Sequence, residues 1–426
     1  MNIFRRRLMQ AAILLPVGIA ERKAPRALGY LPWWMADGWQ TMPLARLDRV
    51  VLFDAPILAD GSLESRDWAK RARQLGRHAT LEIALTLLEE GEFEQLFANG
   101  AARERLHAEC MRLLREPYIT GLHLDFEAYS AVAPQAVAGF RAWLERLAER
   151  ADAAGKGVSA FFPASDSFGA FDAASARRIA WWVAQLYDAH WAESETTGPL
   201  VTRREANPVA IPRTRARLAA LGVPRERIAL SVPLYGWEWS CDSADPGARV
   251  RGKGRLLTFA ETPSTLMPND RLAASVLAKR HGLRRDRERS PYYAYRQGAH
   301  WVQGWYEDLA SLTHKLAAER GAGYAGLAFF PLGYDKSEIV EGLLRWWRGR
   351  EAAQVSSREE PGRLRVTINA ARAVQALQLV LIPPGAGEPR LEAPALQARL
   401  EKLDEHRYAI VLPAVPAGKS ELSVVF

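Results

Sequence analysis

Eight short apolar runs, each followed by a stretch in which apolar residues recur every three or four positions, set the strongest limit on how this chain can fold. The runs lie at 27–31, 49–53, 79–85, 119–126, 157–162, 181–187, 228–233 and 324–330. Strands that alternate with amphipathic helices form parallel sheets with helical returns, and eight such units can close on themselves. The pattern therefore predicts an α/β fold, a (β/α)8 TIM barrel over 24–350, with helices at 101–115 and 134–153 among its returns. One interval breaks the rhythm. Residues 234–323 separate the seventh strand from the eighth, and a stretch this long must carry structure of its own. An insertion over 238–300 is expected, placed by the barrel's geometry at the C-terminal mouth. From 356 the texture changes to short alternating segments, 364–368, 377–381 and 408–412, broken by Pro383-Pro384-Gly385, Pro413 and Pro416. That pattern predicts a small β-sandwich over 356–426.

The N-terminus reads as an export signal rather than as part of the fold. Arg5, Arg6 and Arg7 precede an apolar run from Leu8 to Ile19 that is too short for an ordinary membrane span. Gly18-Ile19-Ala20 supplies small residues for cleavage after Ala20, so 1–20 is expected to be a signal peptide. The Arg-rich start also fits a twin-arginine signal, with the general secretory route as the alternative. The expected location is periplasmic or extracellular, with no membrane span in the mature chain, and the protein is expected to be a monomer. The formal charge of +8 comes from arginines scattered along amphipathic segments, not from a basic block with interleaved aromatics. Nucleic acid is therefore not an expected partner. Cys110 and Cys241 match neither metal-ligand nor redox spacing, and no bridge between them is expected.

The fourth run carries the chemistry. In Ile119-Thr120-Gly121-Leu122-His123-Leu124-Asp125-Phe126-Glu127, side chains alternate faces. Leu122, Leu124 and Phe126 form the row that faces the helices. His123, Asp125 and Glu127 must then face the barrel axis, where an unpaired charge is costly and shifts its own pKa instead. Two carboxylates at i and i+2 sit about 6 to 7 Å apart at Cβ, close enough to share a proton. Such sharing can raise one of them into the range a general acid needs. An anonymous pair of this kind more often pairs with arginines at a barrel mouth, so the flanking sequence decides the weighting.

The stretch resembles the signature of the family 18 glycoside hydrolases, chitinases and their relatives, D-G-x-D-x-D-x-E. Gly121, Asp125 and Glu127 match, while Thr120 and His123 replace the two earlier aspartates. The resemblance continues in order along the chain. Gly29-Tyr30-Leu31-Pro32-Trp33 looks like the family's first strand, and Gln185-Leu186-Tyr187-Asp188 like its sixth. Leu230-Ser231-Val232-Pro233-Leu234-Tyr235-Gly236-Trp237 is similar to the seventh, and Gly326-Leu327-Ala328-Phe329-Phe330 to the eighth, where the family usually has tryptophan at the end. The insertion before the last strand falls where many members carry an extra module.

The resemblance implies retaining hydrolysis in which the substrate's own 2-acetamido oxygen attacks the anomeric carbon. Glu127 would be the general acid, Asp125 would hold the acetamido N–H, and Tyr187 would support that group from the other side. Gln185 and Asp188 would bind sugar hydroxyls, and Tyr30, Trp33, Tyr235, Trp237 and Phe330 would line the glycan site. Trp34, Trp191, Trp239, Trp305 and Tyr306 also fall near the mouth in this reading, where aromatic faces suit pyranose rings. His123, at a usual aspartate position, is expected to donate to Asp125, hold it ionised and so weaken or tune activity. The implied function is hydrolysis of polysaccharides containing β-linked N-acetylglucosamine: chitin-like, peptidoglycan or exopolysaccharide. A lectin-like barrel without turnover, or an accessory protein of polysaccharide export, are the alternatives. No cofactor or metal is expected, because neither a ligand-spaced His/Asp/Glu cluster nor a nucleotide loop is present in the sequence.

Overall fold

The computed structural model describes residues 26–426 except 65, 129, 165–168, 263–272, 349–352, 371–373, 382, 384–387, 394–395 and 403–407. The signal peptide expected at 1–20 lies outside the described residues. Seven parallel strands come first: β1 (Ala27–Pro32), β2 (Arg49–Pro56), β3 (Leu81–Leu87), β4 (Ile119–Phe126), β5 (Gly157–Phe162), β6 (Trp182–Gln185) and β7 (Ile228–Pro233). Between them run α1 (Trp68–Leu75), α2 (Glu90–Ala98), α3 (Gly100–Leu114), α4 (Pro134–Ala153), α5 (Ala173–Arg178) and α6 (Ile211–Ala220).

An inserted antiparallel sheet follows directly. Its strands are β8 (Tyr235–Cys241), β9 (Arg255–Thr258), β10 (Arg284–Arg285), β11 (Pro291–Gln297) and β12 (His300–Tyr306), in the order β10-β11-β12-β8-β9, with α7 (Ala274–His281) beside them. Only Leu234 separates β7 from β8, so Tyr235 and Trp237 ride on the insertion's first strand. After α8 (Leu309–Lys315), strand β13 (Gly326–Phe330) pairs with both β1 and β7 and closes the barrel. The expected (β/α)8 barrel is therefore the observed fold.

Local sequence explains the elements. Asn99 caps α3 through its side chain, Pro134 starts α4, and Asp172 and Asp308 open α5 and α8 as reciprocal capping boxes with Ser175 and Ser311. On α4, Phe140, Trp143, Leu144, Leu147 and Ala151 are buried at helical spacing. They meet the outward row of β4, with Phe126 packed at 5.9 Å from Phe140 and 6.0 Å from Phe97. Leu122, Leu124 and Phe126 are all buried, and burial of each stabilises the strand's position by about 1.5–3 kcal/mol. Fixing that row outward fixes the opposite row inward.

Gly121 has a packing role in the same strand. A Cβ there would lie 2.7 Å from the carbonyl oxygen of Gly157 and 3.3 Å from the carboxyl carbon of Glu82. Only glycine lets β4 approach both neighbours at this level of the barrel.

Contacts divide the chain into two compact units, one ending at Val340 and one beginning at Glu341, a boundary within α9 (Glu338–Trp347). The second unit contains β14 (Ala353–Glu360), β15 (Arg363–Ala370), β16 (Val374–Leu381), β17 (Arg390–Glu392), β18 (Arg399–Lys402), β19 (Tyr408–Val415) and β20 (Gly418–Val425). They form two antiparallel sheets, β14-β15-β20-β17 and β16-β19-β18. Val366, Ile368 and Val424 of the first and Leu381, Ile410 and Leu412 of the second share one apolar core. No helix among the described residues is long and apolar enough to cross a membrane.

Candidate active site

At the C-terminal mouth of the barrel, Asp125, Glu127, Gln185 and Asp188 line one cavity. Its remaining wall is aromatic: Tyr30, Phe53, Phe161, Tyr187, Tyr235 and Phe330. Strand β4 delivers the two acids as alternation requires. The backbone N–H of Glu127 donates to the carbonyl of Leu87 at 2.8 Å, so the ladder to β3 holds one step beyond the strand's end.

Asp125 is buried and hydrogen-bonded with Glu127. Burial, the adjacent Glu127 charge and then the charge of Asp54 push its carboxyl well above the ordinary range. Its Oδ1 is buried without a hydrogen-bond partner among the described residues. A buried acceptor left open at the wall of a cavity is suited to receive a donor from a ligand.

Strand β6 ends at Gln185, so Tyr187 and Asp188 sit in the loop beyond it. Strict alternation would turn Asp188 away from Tyr187. A left-handed φ of 69° at Asp188 instead brings both side chains to the same cavity, a conformation aspartate adopts more readily than most residues. The Tyr235 hydroxyl donates to Asp188 at 2.5 Å, and the Gln185 amide lies 3.5 Å from its other oxygen. Burial pushes Asp188 up to about 7, with the Glu127 charge adding to it and the bonds from Tyr235 and Gln185 opposing. The carbonyl oxygen of Gln185 accepts from the backbone of Ala164 at 2.7 Å, so this side chain braces two loops.

Phe330 forms the floor. Its ring stacks on Tyr187 at 6.3 Å with 10° between planes, and meets Tyr30, Phe53 and Tyr235 edge-on at 5.7, 5.2 and 6.2 Å. Tyr30 is part of the wall by its ring, while its hydroxyl is engaged below with His123. Trp237 stands edge-on to Tyr235, and Trp33 lies under the Arg66 guanidinium at 4.6 Å; neither is among the residues that line the cavity.

His123 departs from expectation. It does not donate to Asp125: Nε2 lies 2.9 Å from the Tyr30 hydroxyl and Nδ1 2.8 Å from Ser159 Oγ. The reason is the two-residue step of the strand, which sets His123 one layer deeper, directly beside Ser159 in the β4–β5 register. The ring also stacks on Trp181 at 5.6 Å, and burial pushes its pKa down to about 3, so it is neutral. Several aromatics expected at the mouth are elsewhere. Trp239, Trp305 and Tyr306 are buried, with Trp305 stacked on Tyr292 at 4.4 Å in the inserted sheet. Trp34 is half-buried and donates to the Tyr334 hydroxyl at 3.1 Å, whereas Trp191 is 48% exposed.

Sequence reasoning missed Asp54. This buried acid accepts from Thr86 at 2.8 Å and lies 3.7 Å from Arg66, and burial raises its pKa above the ordinary value. The signal was present: a charged residue following Val50-Val51-Leu52-Phe53 at the C-terminal end of a barrel strand, where function concentrates. Both cysteines are free and buried.

This constellation can now be set beside known proteins. The model of the family described as Glycosyl hydrolases family 18 matches residues 28–335, which takes in every barrel strand but the first residue of β1. The chain belongs to this family. In sequence, the family member is 24% identical to YdhD of Bacillus subtilis (strain 168), a protein named as a sporulation-specific glycosylase, over 66% of each chain. It is 26% identical to the class V chitinase CHIT5 of Lotus japonicus over 28% of each. The chain thus spans just under two thirds of the first relative and much less of the second. Among solved structures, a GH18 chitinase from Cycas revoluta in complex with (GlcNAc)3 superposes with a TM-score of 0.61 at 18% identity, covering 76% of this chain and 98% of that one. The spore cortex-lytic enzyme SleL of Bacillus megaterium QM B1551 does so with a TM-score of 0.57 at 16% identity, covering 76% and 74%. At these identities the likeness is one of fold.

Proposed function

We propose that this family 18 protein is an exported, monomeric glycoside hydrolase that cleaves polymers of β-linked N-acetylglucosamine by substrate-assisted, retaining hydrolysis. The observation that carries the reading is the hydrogen-bonded Asp125–Glu127 pair, one member held protonated by burial, at the wall of an aromatic cavity. Names of similar proteins support the substrate class: a structure with (GlcNAc)3 bound, and enzymes that lyse spore cortex.

The pair retains a proton at neutral pH and titrates as a unit. Glu127 delivers that proton to the leaving glycosidic oxygen and later activates water, while Asp125 accepts the acetamido N–H and steers its oxygen to the anomeric carbon. Tyr187 supports the acetamido group from the opposite wall. Asp188, Gln185 and Tyr235 bind sugar hydroxyls, and Phe330 provides an apolar floor under the ring, flanked by Tyr30 and by Trp33 and Trp237 further out. With His123 turned away from Asp125, its tuning acts through Tyr30.

The test is hydrolysis of fluorogenic N-acetylglucosamine oligomers by wild type and by Glu127→Gln. Wild type is expected to turn over and the variant to lose at least about 10² in kcat while still binding oligomer. Equal residual signal in both removes the enzyme reading, and binding without turnover in both promotes a lectin. Intact mass of the protein from the periplasm and medium reports export and cleavage after Ala20; an uncleaved product in the cytoplasm overturns that part.

A further inference from the structure

Below the cavity the barrel interior holds a chain of buried polar groups rather than an apolar plug. Arg49 Nε lies 3.2 Å from one oxygen of Glu82, and the other accepts from Ser159 Oγ at 2.6 Å. Ser159 Oγ lies 2.8 Å from His123 Nδ1, and His123 Nε2 lies 2.9 Å from the Tyr30 hydroxyl. The chain climbs from β2 through β3, β5 and β4 to β1, and all of Glu82, Ser159, His123 and Tyr30 are 3% exposed or less. It ends at Tyr30, whose ring shares a cavity wall with Asp125 and Glu127.

Proton counting gives this chain a direction. A carboxylate beside a guanidinium offers only lone pairs, so the single Ser159 proton points to Glu82. Toward His123, Ser159 can then only accept, which places the imidazole proton on Nδ1. A neutral imidazole with its proton on Nδ1 has a lone pair on Nε2, so the Tyr30 proton points down to it.

We propose that Glu82 and Ser159 are positioning residues of the active site: acting through His123, they fix the bond that anchors the Tyr30 hydroxyl and so hold the Tyr30 ring in the wall it shares with the Asp125–Glu127 pair. This rests on the hydrolase reading of that pair. It also accounts for histidine at position 123, since only a side chain with a donor and an acceptor on opposite edges can pass the direction from Ser159 to Tyr30. Glu82 and Ser159 touch neither substrate nor the reacting atoms. Their influence travels along three buried hydrogen bonds, Glu82–Ser159, Ser159–His123 and His123–Tyr30, where an unmade bond is expensive.

The experiment reads the direction itself. In protein labelled with 15N-histidine, long-range 1H–15N correlations distinguish an imidazole protonated at Nδ1 from one protonated at Nε2, and loss of a signal in His123→Gln identifies this ring among the eight histidines. Wild type is expected to show the Nδ1–H form alone. Glu82→Gln, whose amide can donate as well as accept, is expected to give a mixture of both forms and to lower kcat about tenfold with KM within about twofold. Ser159→Ala is expected to do the same, and Ser159→Thr to restore both readouts. An Nε2–H ring in wild type overturns the proposal. So does a Glu82→Gln or Ser159→Ala protein with the wild-type ring and wild-type kcat, and if one variant does not fold the other decides. The ring form is read without turnover, so its failure is separable from failure of the hydrolase reading, which the Glu127→Gln comparison tests.

Discussion

The hydroxyl of Tyr235, on the first strand of the insertion, donates a 2.5 Å hydrogen bond to Asp188, in the loop after the sixth barrel strand. Despite that bond, burial holds Asp188 up to about 7, above its ordinary 3.8. An acid with a raised value in the folded protein keeps a proton there that the unfolded chain gives up. The stability tied to this group is therefore full below about pH 4, falls as pH rises toward 7, and is level above that. Asp188→Asn removes the dependence, so the Tm of the variant minus that of wild type is expected to grow between pH 4 and 7 and then stay constant. A difference that does not change with pH would show that Asp188 is ionised throughout.

Asp125→Asn separates activity from stability. The buried carboxyl, with Glu127 and Asp54 nearby, is an unfavourable place for charge. Its replacement by a neutral amide is expected to raise Tm at pH 7 while lowering kcat by about 10² or more. Thermal unfolding and oligomer hydrolysis on one preparation check both directions. A less stable and inactive variant would mean that the carboxyl is chiefly structural.

Lys315 and Glu307 form an ion pair with no exposed surface on either side chain, at 2.6 Å, and Lys315 also donates to the carbonyl of Val201. Lys315→Met leaves Glu307 buried without its cation and is expected to destabilise by about 3–5 kcal/mol, whereas the double change with Glu307→Gln recovers a large part. Denaturant unfolding of the three variants gives the comparison. Equal losses in single and double variants would refute the cost of the isolated charge.

Gly121→Ala places a methyl group 2.7 Å from the Gly157 carbonyl oxygen. Since that neighbour is backbone, β4 must shift, at a cost of about 1–3 kcal/mol, and Asp125 and Glu127 shift with it. Lower Tm together with reduced kcat is expected. A variant as stable and active as wild type would mean that the strand tolerates the displacement.

The barrel was legible because its signal is repetitive: each strand is apolar and short, and each helix shows its buried face at regular spacing, as α4 does from Phe140 to Ala151. Asp125 and Glu127 were legible because alternation along β4 leaves them no other direction. The partners of His123 were not, since Tyr30 and Ser159 come from strands distant in sequence and only barrel closure brings them together. Asp54 was overlooked for a local reason: the second apolar run was ended at Phe53, one residue short of the acid. Trp239, Trp305 and Tyr306 could not be assigned to core or mouth, because an aromatic residue serves either purpose and the inserted sheet provides a core of its own.

With a single residue, Leu234, between the seventh barrel strand and the added sheet, the insertion is not a detachable accessory. Grafting it onto another scaffold would carry away Tyr235, and with it the hydroxyl that steadies Asp188. Divergence in that module and divergence in what the pocket accepts are thereby tied together, so exchange of insertions between relatives should transfer selectivity along with shape.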